Sequence, residues 1–202
     1  MNSEDLPIPG GRDVRATLDE PDSGSARSIV VACSPHPQHR GHRGDARLKA
    51  VSEYLVARGI ACLRFDYGEW DEGYGEREDA RNALRWARER YDRVGIFGFS
   101  FGTAVAALAA ASVDPQPEAV SLLAPTPRLA DDLDTVAALD DVESPIQVVY
   151  GTRDDTVDWE PVVERARELD HEVVEISGDH FFVGQHEKVA DAVGGFLAER
   201  LG

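Results

Sequence analysis

Ser100 lies at the centre of Gly98-Phe99-Ser100-Phe101-Gly102, directly after the apolar run Val94–Phe97 and directly before the alanine-rich segment Thr103–Ala111. A strand that passes through a tight turn into a helix can present a serine hydroxyl as a nucleophile, and glycines two residues to either side give that turn room. The short pattern recurs by chance, so its weight comes from this setting. A hydroxyl is a weak nucleophile until a base takes its proton, and the base needs an acid partner that fixes its tautomer and stabilises its charged form. The acid is offered by Gly151-Thr152-Arg153-Asp154-Asp155-Thr156-Val157, after the run Ile146–Tyr150. The base is offered by Ser177-Gly178-Asp179-His180-Phe181-Phe182, after the run ending at Ile176. Serine, acid and histidine follow in the order such a nucleophile turn requires. Asp154 and Asp155 both stand as the acid at this level, and only one can serve. His171, at the end of a polar helix, and His186, at the start of the last helix, are weaker bases.

These loops need a scaffold, and the chain supplies one. Apolar, β-rich runs recur at Ile29–Cys33, Ile60–Phe65, Val94–Phe97, Ala119–Leu123, Ile146–Tyr150 and Glu172–Ile176, each bounded by turn residues. Between them lie helical stripes: Leu48, Val51 and Leu55; Ala80, Ala83, Leu84 and Ala87; Val189, Val193, Phe196 and Leu197. Strands apolar along most of their length, alternating with amphipathic helices, predict an α/β fold with a mostly parallel sheet and helices on both faces. Ligands of such sheets bind beyond the carboxyl ends of the strands, where all three chemistry-bearing segments fall. The connections are too short for a second domain or a cap, so residues 1–202 are expected to form one domain. The Pro- and Gly-rich segment 1–27 is expected to be a peripheral cover, with one short run, Val14–Leu18, able to form an edge strand.

Composition narrows the function. The chain has 202 residues, 42% hydrophobic and 29% charged, enough apolar material for a folded core. Its 38 acidic against 21 basic residues give a net charge of −17, which repels nucleic acid and anionic lipid, so neither is an expected partner. Only Lys49 and Lys188 are lysine, and this acidic, arginine-rich surface resembles the cytoplasmic proteins of salt-in halophiles. Cys33 and Cys62 sit inside apolar runs and read as buried core residues of a reducing compartment. No apolar stretch is long enough to span a membrane and the start of the chain has no signal-peptide pattern, so a cytoplasmic location is expected. One rival chemistry exists, since His36, His39 and His42 recur every third residue just after Cys33. Pro35 and Pro37 favour an extended loop over the helical stretch that would converge three imidazoles, so no metal is expected.

Taken together, Pro35-His36-Pro37, Leu63-Arg64-Phe65-Asp66, Gly75-Glu76 leading into Glu78-Asp79-Ala80, Gly98-Phe99-Ser100-Phe101-Gly102, Gly151-x-x-Asp154-x-x-Val157 and Asp179-His180-Phe181-Phe182 carry a resemblance. The chain resembles a small capless α/β-hydrolase of the dienelactone-hydrolase-like group from about Ser34 to its end. The resemblance implies the α/β-hydrolase fold and a Ser-His-Asp serine hydrolase without metal or organic cofactor. Its acid loop, G-x-x-D-x-x-V, picks Asp154 over Asp155. Two segments depart from it: Ser34-Pro35-His36-Pro37-Gln38-His39-Arg40-Gly41 lacks the apolar pair and double glycine of relatives, and Asp66–Gly75 is short and acidic.

The resulting expectation is an acyl hydrolase acting on a small-molecule carboxylic ester or a related acyl compound. Ser100 attacks, His180 moves the proton and Asp154 orients His180. The Phe101 amide is the first oxyanion donor; Pro37 has no N–H, and by its place two residues beyond the strand-end Pro-His, Gln38, with His39 second, is expected as the other. His36, Tyr67 and Phe181 are expected to contact substrate, within an aromatic surround of Phe99, Phe101, Trp70 and Phe182. A peptidase or thioesterase using the same triad, and a non-catalytic protein of this fold that binds a ligand or partner, are the alternatives.

Overall fold

The computed structural model describes residues 1–22, 24 and 26–202. The chain runs β1 (Asn2–Ile8), β2 (Val14–Glu20), β3 (Ser28–Cys33), α1 (Ala46–Val56), β4 (Ala61–Asp66), α2 (Tyr74–Arg88), β5 (Arg93–Phe99) and α3 (Phe101–Ala111). It continues through β6 (Ala119–Leu123), β7 (Arg128–Ala130), β8 (Leu133–Asp134), α4 (Thr135–Ala138), β9 (Ile146–Gly151), α5 (Glu160–Glu168) and β10 (Glu172–Ile176). A final helical rod joins α6 (His186–Val189), a π-helical turn (Ala190–Gly194) and α7 (Gly195–Leu201).

Eight strands form one sheet in the order β1-β2-β4-β3-β5-β6-β9-β10. Pairing is parallel from β4 through β3, β5, β6 and β9 to β10, and antiparallel at β1–β2 and β2–β4. This is the α/β-hydrolase architecture, and among the described residues no cap covers the carboxyl ends of the strands. Alternation along the strands divides the core into two layers. Ile29, Val31, Cys33, Val94 and Ile96 face α2, α3 and α5, whereas Val30, Ala32, Phe97 and Phe99 face α1 and the last helix. The expected stripes Leu48, Val51, Leu55 and Val189, Val193, Phe196, Leu197 are the buried faces of those two elements.

The amino-terminal segment differs from expectation. The run at Val14–Leu18 is strand β2, but β1 pairs outside it, so β2 is interior and β1 forms the edge. Segment 1–27 is more than a cover: Ile8, Val14, Ala16 and Leu18 belong to the buried core. Strand β1 has a burial pattern exposed at five of its first six positions, including Glu4, Asp5 and Pro7, which hides a strand from any reading that relies on apolar residues. No described helix is long and apolar enough to cross a membrane.

Candidate active site

Strand β5 ends at Phe99 and α3 begins at Phe101, so Ser100 alone makes the turn, at φ 55° and ψ −121°. A non-glycine residue in such a conformation costs about 1–3 kcal/mol, which the surroundings must overcome. They do so by packing: the Ser100 amide donates to the Leu123 carbonyl at 2.9 Å. Gly102 is required because a Cβ there would overlap the Cys33 carbonyl, so the start of α3 lies directly against the end of β3.

The acid and histidine loops leave neighbouring parallel strands, β9 and β10, and are stitched together by a bond from the Arg153 amide to the Gly178 carbonyl, 3.0 Å. His180 Nδ1 lies 2.7 Å from Asp154 Oδ2, and His180 Nε2 lies 3.0 Å from Ser100 Oγ. Both side chains are almost wholly buried. Burial alone would raise the Asp154 carboxyl, but hydrogen bonds from His180 and from the Thr156 and Val157 amides outweigh it and hold the group below the usual carboxylate range. Trp159, stacked on Tyr150 at 4.3 Å, donates its indole N–H to the Asp154 carbonyl. Asp155 is exposed, and His171 precedes β10 at the opposite end of the strand from His180.

Ser100 opens into a cavity of about 250 Å³ lined by Pro35, His36, Phe99, Thr156, His180 and Phe181 among others. A larger cleft of about 650 Å³ lies between α1 and α6, around Lys49, Tyr54 and His186. It touches none of the three residues above, so volume alone does not locate the chemistry.

The match to the dienelactone hydrolase family covers residues 64–191, more than half the chain, and takes in Ser100, Asp154 and His180. The chain belongs to the dienelactone hydrolase family. The class of activity that goes with this family is hydrolysis. The solved structure of an α/β serine hydrolase homologue from Coxiella burnetii matches this hydrolase with a TM-score of 0.83 and 26% identity, over 96% of this chain and 97% of that one. A lidless serine hydrolase from Xanthomonas campestris matches at 0.82 and 24%, over 98% and 95%. Est1E from Butyrivibrio proteoclasticus matches at 0.84 and 20%, over 99% of each chain. These last two likenesses speak for the fold. No curated protein matches by sequence.

Several expected contacts fall elsewhere in this hydrolase. The Gln38 amide donates to His36 Nδ1 at 3.3 Å and Gln38 is exposed, so it does not face the cavity. The His39 amide is engaged too, donating to the His36 carbonyl at 3.0 Å. Pro35 and Pro37 carry no N–H. The His36 amide remains: it donates to no protein acceptor among the described residues, and His36 lines the cavity. The expected donor Gln38 is displaced because the Pro37–His39 segment coils into a 3-10 turn that carries it away from the cavity.

Tyr67 was expected against substrate, but it is buried and absent from the cavity wall, with its hydroxyl donating to the Ser34 carbonyl at 2.8 Å. Phe182 is wholly buried in the core. Phe181 stands at the rim, half exposed, edge-on to His180. The His36 ring stacks between His39 and Trp70, at 4.4 and 4.8 Å between centroids. Burial, with the neighbouring His39, lowers the His36 pKa. Among the described residues no group of three or more histidine, cysteine or acidic side chains is placed to hold a metal. Arg47 belongs to no motif in the sequence, yet from the first turn of α1 its guanidinium covers Phe99 at 4.6 Å, pairs with Asp45 and donates to the Phe181 carbonyl. Its only sequence signal is the N-capping Asp45 just ahead of it.

Proposed function

We propose that this protein is a serine hydrolase that cleaves carboxylic esters or related acyl compounds through an acyl-enzyme. The observation that carries the reading is the continuous chain Asp154 Oδ2, His180 Nδ1, His180 Nε2, Ser100 Oγ, with spacings of 2.7 and 3.0 Å and its hydroxyl end open to a cavity. Nucleophile and base within hydrogen-bond reach, with the base oriented by a third group, is the arrangement covalent acyl transfer needs. Ser100 Oγ attacks the acyl carbon while His180 Nε2 takes its proton. Ionised Asp154 stabilises the resulting imidazolium through Nδ1. The tetrahedral oxyanion is held by two amides, those of Phe101 and His36. The first opens α3 and has no partner within the helix. His180 then protonates the leaving alkoxide, and a water attacking the acyl-enzyme returns Ser100 by the same proton path. The cycle balances with water alone.

The small open cavity suits a small-molecule acyl substrate, and the net charge of −17 speaks against nucleic acid or anionic membranes as partners. A reducing, cytoplasmic setting agrees with two buried, unpaired cysteines. The Coxiella neighbour, a serine hydrolase homologue, agrees with the reaction class. The test is a fluorophosphonate probe on folded protein, read by peptide mapping alongside nitrophenyl ester turnover. Labelling at Ser100 that disappears, with turnover, in Ser100→Ala is the expected result. Labelling that survives the substitution, or none at any pH where the protein is folded, would overturn the reading in favour of a binding protein.

A further inference from the structure

The Tyr67 hydroxyl is a buried donor that the proposed reaction does not use. It lies just beyond β4, donates to the Ser34 carbonyl at 2.8 Å, and its ring packs edge-on against Phe65 and Phe101 at 5.2 and 5.7 Å. Burial pushes its phenol well above the ordinary value, so it stays a donor.

One residue, Pro35, separates the Ser34 carbonyl from the His36 amide. Peptide bonds are planar and the proline ring fixes φ near about −65°. Once the Ser34 carbonyl is held, the ψ angle of Pro35 is therefore the one soft torsion between it and the His36 N–H. That torsion is closed from the far side. The His36 carbonyl accepts the His39 and Gly41 amides, each at 3.0 Å, and the bare α-carbon of Gly41 lies against the Pro35 carbonyl, where a Cβ would overlap it. The Ser34 hydroxyl adds a second tether, to the Phe65 carbonyl at 2.5 Å. In a trans peptide the N–H points opposite to the C=O, so the His36 amide is turned away from Gly41. Meanwhile the Tyr67 ring rests on Phe101, whose amide is the other donor.

We propose that Tyr67 is a positioning residue for the oxyanion hole: its hydrogen bond to Ser34 sets the aim of the His36 amide, and its ring fixes Phe101, so that both amides converge on one acyl oxygen. The inference rests on the acyl-transfer reading above. Tyr67 touches no substrate and acts through Ser34 and Phe101 alone.

Tyr67→Phe keeps the ring and removes the donor. Its turnover is compared with that of the parent on a nitrophenyl ester and on the matching thionoester, whose larger acyl sulfur makes poor use of amide donors. The expected result is a fall in ester kcat of about tenfold to a hundredfold, below the about 10²–10³ of losing a donor outright, with KM little changed. The ester-to-thionoester rate ratio should fall with it, because the thionoester has less to lose. A smaller folded fraction would slow both substrates alike, so an unchanged ratio overturns the proposal, as does unchanged ester kcat. If Tyr67→Phe does not fold, Tyr67→Met removes the donor and the ring together with a side chain that adapts to irregular gaps, and an unchanged ratio there overturns it equally. A parent protein without Ser100-dependent turnover overturns the hydrolase reading itself, an outcome distinguishable from either variant result.

Discussion

Asp154, in the acid loop, and Asp19, in the amino-terminal hairpin, are buried carboxylates in nearly matched surroundings, yet only one is bonded to a histidine that reaches a cavity. Asp19 accepts from Ser3 Oγ, Ser52 Oγ and Arg64 Nε at 2.6–2.7 Å, and Arg64 in turn donates to the Arg43 carbonyl. Burial would raise its pKa, but hydrogen bonds from Arg64, Ser3 and Ser52 outweigh that, the same balance that operates at Asp154. The difference is the partner. Arg64 carries a permanent charge and does not give up a proton at ordinary pH, so the Asp19 cluster can only hold β1, β2, β4 and α1 together. His180 gives one ring nitrogen to Asp154 and the other to Ser100, leaving a proton path that ends in a cavity. A buried, ionised carboxylate is therefore not by itself the mark of a site; the open proton path is.

The comparison breaks first, and by the largest margin, at Asp154. Asp154→Asn preserves shape but no longer stabilises the imidazolium, and kcat should fall by about 10⁴-fold, as for this role in a serine protease. The exposed neighbour Asp155→Asn should change little. Reversed effects would mean that the wrong aspartate has been assigned. Asp19→Asn should do the opposite: it leaves Arg64 buried without its counter-charge, at a cost of about 3–5 kcal/mol of stability, while kcat per folded molecule is retained. Denaturant melts paired with active-site titration by the fluorophosphonate probe separate the two. A large loss of kcat in folded Asp19→Asn protein would show that Asp19 also serves the reaction.

Acid sharpens the same contrast by a smaller amount. The folded-state pKa of Asp19 lies below its ordinary value of 3.8. Its contribution to stability is fully present well above that value and is lost as pH falls through the lower, folded-state pKa. The gap in melting midpoint between the parent and Asp19→Asn should thus be widest near neutrality and close as pH drops below about 4. A gap that persists unchanged at pH 2 would show that Asp19 does not act through its charge.

Which of these features the sequence displayed follows from how each is encoded. Core strands announce themselves through apolar runs such as Ile29–Cys33 and Ile146–Tyr150, and Ser100, Asp154 and His180 follow strand ends, where sheet geometry demands convergence. Strand β1 was illegible because NSEDLPI presents an edge to solvent and buries almost nothing. The Asp19–Arg64 pair was illegible because the partners are 45 residues apart and antiparallel pairing alone brings them together. The Gln38 assignment failed for a local reason: a three-residue coil after Pro37 redirects the amides, and linear counting cannot see a turn. Tyr67 failed for a tertiary one, since an aromatic residue after a strand can face the cavity or the layer beneath it.

The smallest expected effect concerns the carboxylates that are neither Asp154 nor Asp19. With 38 acidic against 21 basic residues, most acidic groups lie in a net repulsive surface field. The Debye length is about 30 Å at 0.01 M salt, comparable to the domain, and about 3 Å at 1 M, so molar salt removes this repulsion between exposed groups. Surface ion pairs such as Arg27–Asp92 are screened as well, but exposed pairs contribute only about 0–1 kcal/mol each and the excess charge has one sign. The buried Asp154–His180 and Asp19–Arg64 contacts are screened much less. Screening therefore favours the compact state, and for a chain of this size each kcal/mol gained moves the midpoint by about 2–4 °C. Melts from 0.05 to 3 M potassium chloride should show a rising midpoint, with kcat per probe-titrated site nearly constant because the reaction occurs over a few ångströms in a partly desolvated pocket. A flat or falling midpoint would remove the salt-adapted reading of the surface and leave the buried pairs untouched. A kcat that climbs at constant folded fraction would instead show that ions reach the Asp154–His180–Ser100 chain, and the separation between reactive interior and solvated surface would fail there.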